Sequence, residues 1–414
     1  MPGDLSWMED RYKQLSQESL LWEPPTLESP NEPRCTMDGT PTIMLSSNNY
    51  LNLTTHPKVV SAMVEATKKY GAGSGSVRAI AGTMDIHLAA EKKVAEFKKV
   101  ESALIYSAGY TANVGLIPTL VSGPQDLIIS DELNHGSIID GVRLTKASRA
   151  VYSHNDMGEL EAVLRKNSES ERILIITDGV FSMDGDIAPL DEITKLAKEY
   201  GAMIYVDDCH GEGVLGETGA GIVDHFGLQG SVEFEVGSFS KALGVQGGIL
   251  AGSDITRTHA LNHSRSWLLS GSQPPGVAAA QKAAVEVLME EPEHHQKLWD
   301  NTNYFRKELQ SLGFDTGVST TPIIPVMCGE SKVAKEFTNM LSLNGVMAGA
   351  IVFPMVARDK ARIRTQMSSG LSKDDLDQVL SIFESLGPKL GLISTNYSSL
   401  SIWSITDFMT SSSM

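Results

Sequence analysis

The feature that most constrains the fold is an alternation of short apolar stretches with longer amphipathic ones between residues 100 and 210. The apolar stretches are rich in branched residues and have the length of strands. The amphipathic stretches have the length and period of helices. The predicted strands cover residues 103–106, 126–130, 172–177 and 203–207, and the predicted helices cover residues 85–99, 137–145, 159–166 and 190–200. This order predicts an α/β fold with a mostly parallel central sheet and helices on both faces.

The chain after this region predicts a second, smaller lobe. Long helices are expected over residues 276–290 and 294–312, and the second of them leads into an α+β pattern. We therefore expect four segments, namely an N-terminal arm over 1–57, a large α/β domain over 58–292, a C-terminal α+β domain over 293–393 and a tail over 394–414.

Two further stretches of the sequence predict local structure. The arm contains an amphipathic helix candidate marked by Trp7, Tyr12, Leu15 and Leu20, followed by a proline-rich connector, and we expect it to pack against another surface. Residues 232–237 alternate apolar side chains with Glu233 and Glu235, which predicts a strand with one wetter face.

Charge and cysteine usage exclude several classes of protein. A net charge of −17 argues against nucleic-acid binding, because a phosphate backbone would be repelled. Cys35, Cys209 and Cys328 are too few and too scattered for a disulfide framework or a zinc site, so we expect thiols and no metal.

There is no apolar run near the roughly 20 residues that span a bilayer. With no recognisable targeting segment, a cytoplasmic location is expected.

Polar residues follow the predicted strands at positions where a parallel sheet binds ligands. Asp178 and Asp207 end two strands, and Lys241 follows the strand predicted over 232–237. Taken alone, Lys241 could be a solvated surface charge, and Asp207 could be a turn former. A lysine between small polar residues could instead form a Schiff base if it is partly desolvated. Strand alternation directs Asp208 away from Asp207, to the other face.

A second candidate element is an anion site. The stretch YSAGYTAN places a small-residue turn between a predicted strand and a helix. Free backbone N–H groups and the helix dipole both favour an anion there.

These stretches together resemble a known family. SNNYL, SVRAIAGT with DIH, YSAGYTAN, DELNHGSIIDG, TDGVFSMDGDIAPLD, VDDCHGEGVLGE, SFSKALG, SGSQPP and ARIRTQMS occur in the order found in the α-oxoamine synthases. These are pyridoxal phosphate (PLP) enzymes of fold type I, which is aspartate aminotransferase-like. Within that family the chain is most similar to the glycine C-acetyltransferases, and the resemblance covers about residues 40–393.

The resemblance implies a role for each matched residue. Lys241 is similar to the Schiff-base lysine, Asp207 to the partner of the pyridine nitrogen, His210 and Ser182 to the groups that contact the phenolic oxygen, and His135 to the histidine that stacks on the ring. Phosphate would be held by Gly109, Tyr110 and Ser238, with Ser270 and Gly271 coming from the other subunit of a homodimer. Substrate would be contacted by His135, Asn48, Arg78 near the acyl-CoA, and Arg364 at the amino-acid carboxylate, where Arg362 is an open alternative.

The implied reaction is a Claisen-type condensation of an amino acid with an acyl-CoA. Glycine with acetyl-CoA is the expected pair. The alternatives are a decarboxylating synthase that uses serine or alanine with a longer acyl thioester, a PLP aminotransferase, and an inactive partner subunit.

Overall fold

The computed structural model describes residues 4–17, 21 and 24–394. Within these ranges the helices are α1 Ser6–Gln17, α2 Pro57–Tyr70, α3 Asp85–Lys98, α4 Gly109–Leu120, α5 Gly136–Arg143, α6 Met157–Lys166, α7 Leu190–Tyr200, α8 Ile222–Phe226, α9 Asp254–His263, α10 Arg265–Leu268, α11 Pro275–Glu290, α12 Glu293–Ser311, α13 Ser331–Leu343 and α14 Lys373–Leu386. The strands are β1 Arg34–Met37, β2 Thr40–Met44, β3 Ser102–Tyr106, β4 Leu127–Asp131, β5 Ser148–Tyr152, β6 Ile173–Asp178, β7 Met203–Asp207, β8 Phe234–Ser238, β9 Gly248–Gly252, β10 Ile323–Gly329, β11 Val346–Met347, β12 Gly349–Ile351 and β13 Ala361–Gln366.

The central sheet has seven strands in the order β3-β9-β8-β7-β6-β4-β5. Its neighbouring pairs from β5 to β8 are parallel, whereas β9 runs antiparallel to both β3 and β8. The prediction of a mostly parallel sheet is confirmed. The strands β5 and β9 were not predicted, because their sequences SRAVY and GILAG are short and carry little hydrophobic periodicity.

The sheet separates two hydrophobic cores. In β6, Ile173 and Ile175 belong to one core and Leu174 and Ile176 to the other, and all four side chains are buried. Successive side chains of a strand point to opposite faces, so a strand covered on both faces must be apolar throughout. This explains why the run ILIIT contains no polar alternation.

The smaller lobe contains two three-stranded sheets. One has the order β10-β13-β12, and its central strand β13 carries both Arg362 and Arg364. The other joins β1 and β2 to β11 through parallel pairing of Ile43 with Val346. Part of the N-terminal arm therefore packs with the C-terminal lobe, while the proposed segment boundaries stay a prediction.

The first helix is exposed. No side chain of α1 is buried, and Trp7 and Tyr12 are 62% and 57% exposed. Leu20 and the tail from residue 395 onward lie outside the described residues. Among the helices that the structure describes, none has the length and apolar character needed to cross a membrane.

The expected wetter face of the strand around Glu235 is wrong. Glu233 is exposed, but Glu235 is buried at 4% exposure and forms an ion pair with Lys98 Nζ at 3.0 Å. Lys98 ends α3, a helix more than a hundred residues earlier, so strand alternation could not reveal that this carboxylate has a buried partner.

We predict that Ile175→Ala lowers the free energy of unfolding by about 2–5 kcal/mol, because it leaves a cavity in a fully buried central strand. Urea unfolding measures the loss. Val151→Ala on the edge strand β5 is the control, since Val151 is 60% exposed and its truncation should cost within about 0.5 kcal/mol. Equal losses in the two variants would contradict the described core.

Candidate active site

The carboxyl ends of β6, β7 and β8 meet around a cavity of about 220 Å³. Eight residues that the sequence nominated line this cavity, namely Gly109, Tyr110, His135, Ser182, Asp207, His210, Ser238 and Lys241. Parallel strands align their ends at one edge of the sheet, so residues far apart in the chain converge there.

Asp207 is held from two sides. Its Oδ2 accepts a hydrogen bond from Asn113 Nδ2 at 2.6 Å, and its Oδ1 accepts one from the backbone N–H of Cys209 at 3.1 Å. The oxygen of the Asn113 amide in turn accepts from the Tyr205 hydroxyl at 2.6 Å. Two donors stabilise the ionised carboxylate and fix its direction. Asn113 was not nominated, although it lies in the motif YSAGYTAN.

A second carboxylate stands beside Asp207. Asp178 pairs with Asp207 across β6 and β7 and also lines the cavity. Burial and the neighbouring charge of Asp207 raise the pKa of Asp178 well above its ordinary value. Two buried carboxylates on paired strand positions disfavour a double negative charge, so the arrangement favours the protonated form of Asp178.

His210 is joined to a buried tyrosine. Its Nδ1 lies 2.9 Å from the Tyr50 hydroxyl, which also accepts from Gln366 Nε2 at 3.1 Å. Burial, together with the positive charges of Lys241 and Arg364, lowers the pKa of His210 well below its ordinary value. The imidazole is therefore neutral at physiological pH, and Nε2 is the ring nitrogen left for a ligand. Tyr50 belongs to the motif SNNYL but was not nominated.

His135 caps a helix at the cavity. It precedes α5, and its Nδ1 accepts from the backbone N–H of Ser137 at 3.2 Å. Its own backbone N–H donates to Asp178 Oδ2 at 2.9 Å. These two contacts fix the ring at the cavity wall.

The amino end of α4 faces the same cavity. Gly109 begins this helix, and its neighbours Ala108 and Tyr110 also line the cavity. A Cβ at Gly109 would lie 3.0 Å from the Cys209 sulfur, so a side chain there would press on the wall. Opposite, the buried Ser238 hydroxyl donates to the Gly247 carbonyl at 3.1 Å. A helix amino end with a nearby hydroxyl suits an anionic group.

The two arginines of β13 have different partners. Arg362 is 3% exposed and donates to the Met183 carbonyl at 3.0 Å and to the Asp184 carboxylate. Arg364 donates to the Ser182 carbonyl at 2.9 Å and is only partly buried. An arginine already neutralised by a carboxylate is poorly suited to bind another one. Arg364 is the better candidate for a substrate carboxylate.

Asn48 does not line the cavity. Its Oδ1 accepts from Gln366 Nε2, and the same amide donates to the Tyr50 hydroxyl. Asn48 is thus connected to His210 through a chain of hydrogen bonds.

Arg78, Ser270 and Gly271 lie together in a separate pocket. Arg78 is 8% exposed, pairs with Glu91 at 2.8 Å and lies 5.4 Å from the ring centre of Trp267. These three residues do not reach the cavity of their own chain.

The chain that forms this cavity is similar to known proteins. The family model described as aminotransferase class I and II matches residues 40–383. A protein named 8-amino-7-oxononanoate synthase 1 from Bacillus subtilis (strain 168) is 50% identical over 89% of this chain and 93% of its own. The chain belongs to the aminotransferase class I and II family, as an α-oxoamine synthase.

Other relatives agree. An 8-amino-7-oxononanoate synthase from Symbiobacterium thermophilum is 51% identical over 92% of this chain and 97% of its own. A serine palmitoyltransferase from S. paucimobilis, solved with bound PLP and myriocin, superposes with a TM-score of 0.89 at 29% identity and covers 94% of this chain and 100% of its own. The expected similarity to glycine C-acetyltransferases is not confirmed by these relatives, which favour the decarboxylating alternative.

The residues around the cavity fit PLP. The amine of Lys241, the doubly held carboxylate of Asp207 and the amino end of α4 correspond to the aldehyde, ring nitrogen and phosphate of such a group. Asp178, the second carboxylate on the cavity wall, does not compete with Asp207 for the ring nitrogen, because its raised pKa favours the neutral form.

Away from the cavity, His56, Glu291 and His294 bring three possible metal-ligand atoms within 4.8 Å of one another. Lys58 Nζ lies 2.6 Å from Oε1 of Glu291, the carboxylate oxygen that does not face His56. The group already has its own counter-charge, and the expectation of no metal stays a prediction.

We predict that His210 is neutral at about pH 6.5, where an ordinary histidine is about half protonated, because burial and the nearby positive charges hold its pKa well below that ordinary value. Nitrogen chemical shifts of histidine-labelled protein measure this, and the His210→Gln variant assigns the signal. An imidazole signal at this position that moves between about pH 8 and pH 6 would contradict the desolvated environment.

Proposed function

We propose that this chain is a decarboxylating α-oxoamine synthase that joins alanine to a pimeloyl thioester. The observation that carries the proposal is identity of 50% and 51%, over nearly the whole chain, with proteins named 8-amino-7-oxononanoate synthase. The residues of the cavity supply the chemistry that such a reaction needs. The cofactor is PLP.

The name of that product defines the two substrates. Its carbons 1 to 7 are a seven-carbon chain with a carboxylate at one end and a ketone at the other, as a pimeloyl group provides. Carbons 8 and 9 with the amine are alanine without its carboxylate. The new bond joins the alanine Cα to the acyl carbon, the thiol leaves, and the alanine carboxylate departs as CO2.

PLP, when bound, supplies an electron sink for a carbanion at the amino-acid Cα. Lys241 would hold the cofactor, and its amine would take up and return the Cα proton of the amino acid. Asp207 stabilises positive charge at the ring nitrogen, and His210 with Ser182 contacts the phenolic oxygen. His135 covers the ring face. Gly109, Tyr110 and Ser238 bind the phosphate.

Arg364 binds the amino-acid carboxylate, supported by Asn48. Its guanidinium donates to the carbonyl of Ser182, which lines the cavity, whereas Arg364 itself lies behind that wall. The charge of Arg364 acts on both Tyr50 and His210, which supports this role. Arg362 contributes to folding through Asp184 instead.

A neighbouring cavity suits the acyl chain. It has a volume of about 480 Å³ and meets the first cavity at Ser182. Its walls include apolar side chains such as Phe181, Met327 and Val356, and Lys360 is exposed at its edge. An apolar slot with a cation matches an acyl chain that ends in a carboxylate. We assign the far carboxylate of the pimeloyl group to Lys360.

The functional unit is a homodimer with the site at the interface. Ser270 and Gly271 lie outside the cavity of their own chain but resemble phosphate-binding residues, so we infer that they complete the site of a partner subunit. Arg78, which shares their pocket, belongs to the same interface region. A cytoplasmic location stays an expectation.

We predict that Lys241→Ala abolishes the covalent link to PLP and lowers kcat by at least about a thousandfold, because the proton-transfer group is lost. Borohydride reduction followed by peptide mass analysis should find PLP on residue 241 of the wild type only. Lys332→Ala, at an exposed lysine on α13, should keep the label and the activity. A reduced cofactor on another lysine would contradict the assignment.

We predict that alanine with pimeloyl-CoA releases free thiol and CO2 faster than glycine with acetyl-CoA. The Lys360→Gln variant should lose up to about fivefold in kcat/KM for pimeloyl-CoA and little for heptanoyl-CoA, since one exposed ion pair is worth up to about 1 kcal/mol. Thiol release and mass spectrometry of the products measure both effects, with Lys332→Gln as the control.

The results separate the alternatives. Faster turnover of glycine with acetyl-CoA and no CO2 would establish the glycine C-acetyltransferase instead. Amino transfer to a keto acid without thiol release would indicate an aminotransferase. Equal losses for the two acyl donors in Lys360→Gln would overturn the assignment of Lys360 alone.

A further inference from the structure

A group of four charged side chains lies beneath the cavity and is not used by the proposed reaction. It consists of Lys98 from α3, Asp208 and Glu212 from the turn after β7, and Glu235 from β8. All four are between 0% and 5% exposed. We call this group the Lys98 cluster.

The cluster has one amine for three carboxylates. Lys98 Nζ lies 3.0 Å from Glu235 Oε2 and 3.6 Å from Asp208 Oδ2, and it donates to the Ala220 carbonyl at 2.7 Å. If every group were ionised, two net negative charges would remain in a dry interior. Unpaired buried charges cost several kcal/mol each, so the group must either gain a cation or keep protons.

The contacts identify which carboxylates lack a partner. Within the described part of the chain, neither oxygen of Glu212 has a hydrogen bond of good geometry, although the nearby backbone N–H of Ser238 favours its charged form, and Oδ1 of Asp208 has no partner. Asp208 Oδ2 accepts from the backbone N–H of Ile222 at 2.8 Å. Glu235 has the shortest ion pair with Lys98. Glu235 therefore has the closest charge partner of the three carboxylates.

Glycines make the space that the carboxylates occupy. A Cβ at Gly237 would collide with Glu212 Oε2, and one at Gly211 or Gly221 would collide with Asp208. Such close packing fills the space in which a bound cation would need a coordination shell. Protonation is the remaining way to reduce the charge.

The cluster supports the cavity from below. Glu212 and Asp208 flank Cys209 and His210 in one turn, which is closed by hydrogen bonds from the Gly211 and Glu212 N–H groups to the Asp208 carbonyl. Glu235 precedes Gly237 and Ser238, which lead to Lys241. A negative charge on Glu212 would act directly on Lys241 and on the Cys209 thiol.

We propose that Asp208 and Glu212 keep their protons from mildly acidic pH up to about neutrality while Glu235 is the carboxylate paired with Lys98, and that protonated Glu212 positions the His210 turn without adding negative charge beside Lys241. Only the consequence for Lys241 rests on the proposed function. The protonation itself follows from the charges and contacts of the cluster.

The electrostatics agree with this assignment. Burial raises the pKa of Glu212 to about 7 and that of Asp208 to about 8, although Lys98 acts in the opposite direction on both. Burial opposes the charge of Lys98, but the neighbouring carboxylates, of which Glu235 acts most strongly, outweigh burial and raise the pKa of Lys98, so the amine stays charged opposite Glu235. The groups that face Glu212 are Lys98, Asp208, Cys209, Glu235 and Lys241.

The test is the pH dependence of stability in the full-length holoenzyme, comparing the wild type with Glu212→Gln. An unfolded glutamate ionises above about pH 4.3, whereas folded Glu212 keeps its proton up to about pH 7. Wild-type stability should therefore fall across this window relative to the glutamine variant, which is neutral throughout. We expect Tm of Glu212→Gln minus Tm of the wild type to rise by about 3 °C or more between pH 4.5 and pH 7 and then to level off.

The matched control is Glu336→Gln, an exposed glutamate on α13. It should show no such rise. A constant difference for Glu212→Gln across the whole range would overturn the proposal, because Glu212 would then be ionised throughout. If Glu212→Gln does not fold, Asp208→Asn provides the same test, with its rise extending to about pH 8. Tm is read without substrate, so an error in the proposed reaction would leave this result unchanged.

Discussion

The parallel register of β6, β7 and β8 is the constraint on which the site depends. Asp178 pairs with Asp207, and Asp207 pairs with Val236, so the three strands end at the same level. A shift of one residue would turn Asp207 to the opposite face of the sheet and replace it by Asp208 or Val206. The two cores hold the register, because each strand buries side chains on both faces.

The carboxylates at this edge of the sheet lie in different electrostatic environments. The part of the chain described here places five carboxylates near the ends of these strands, at residues 178, 207, 208, 212 and 235. Asp207 accepts hydrogen bonds from Asn113 and from a backbone N–H, and Glu235 forms an ion pair with Lys98. The others are buried without a matching cation. Alternation of the strand keeps Asp207 on the cavity side and Asp208 on the Lys98 side, so the two environments differ by one residue.

The sequence predicted the fold and the position of the cavity, because both follow from local patterns. Strands of branched residues that end in a polar residue predict the position of Asp207. The strand that precedes Lys241 predicts that Lys241 reaches the same edge of the sheet. Contacts between distant segments could not be predicted from local sequence patterns. Asn113 and Tyr50 occur in recognised motifs, yet their roles depend on which strand their helix or turn meets. The error at Glu235 has the same origin, since its partner Lys98 lies on another element.

Substrate choice is a still less local property. The motifs that identify the family surround the reacting carbon, where the amino acid and the acyl group are joined, and so they carry little information about the far end of the acyl group. Arg362 and Arg364 illustrate this limit, because they share one face of β13 and differ only through Asp184, which neutralises the first. In the proposed function, selection among acyl chains depends on side chains such as Lys360 and Val356, which line a cavity built by several loops. Such a cavity can change its lining while Lys241 and Asp207 keep their positions, because the sheet edge that holds these two residues is formed by other parts of the chain.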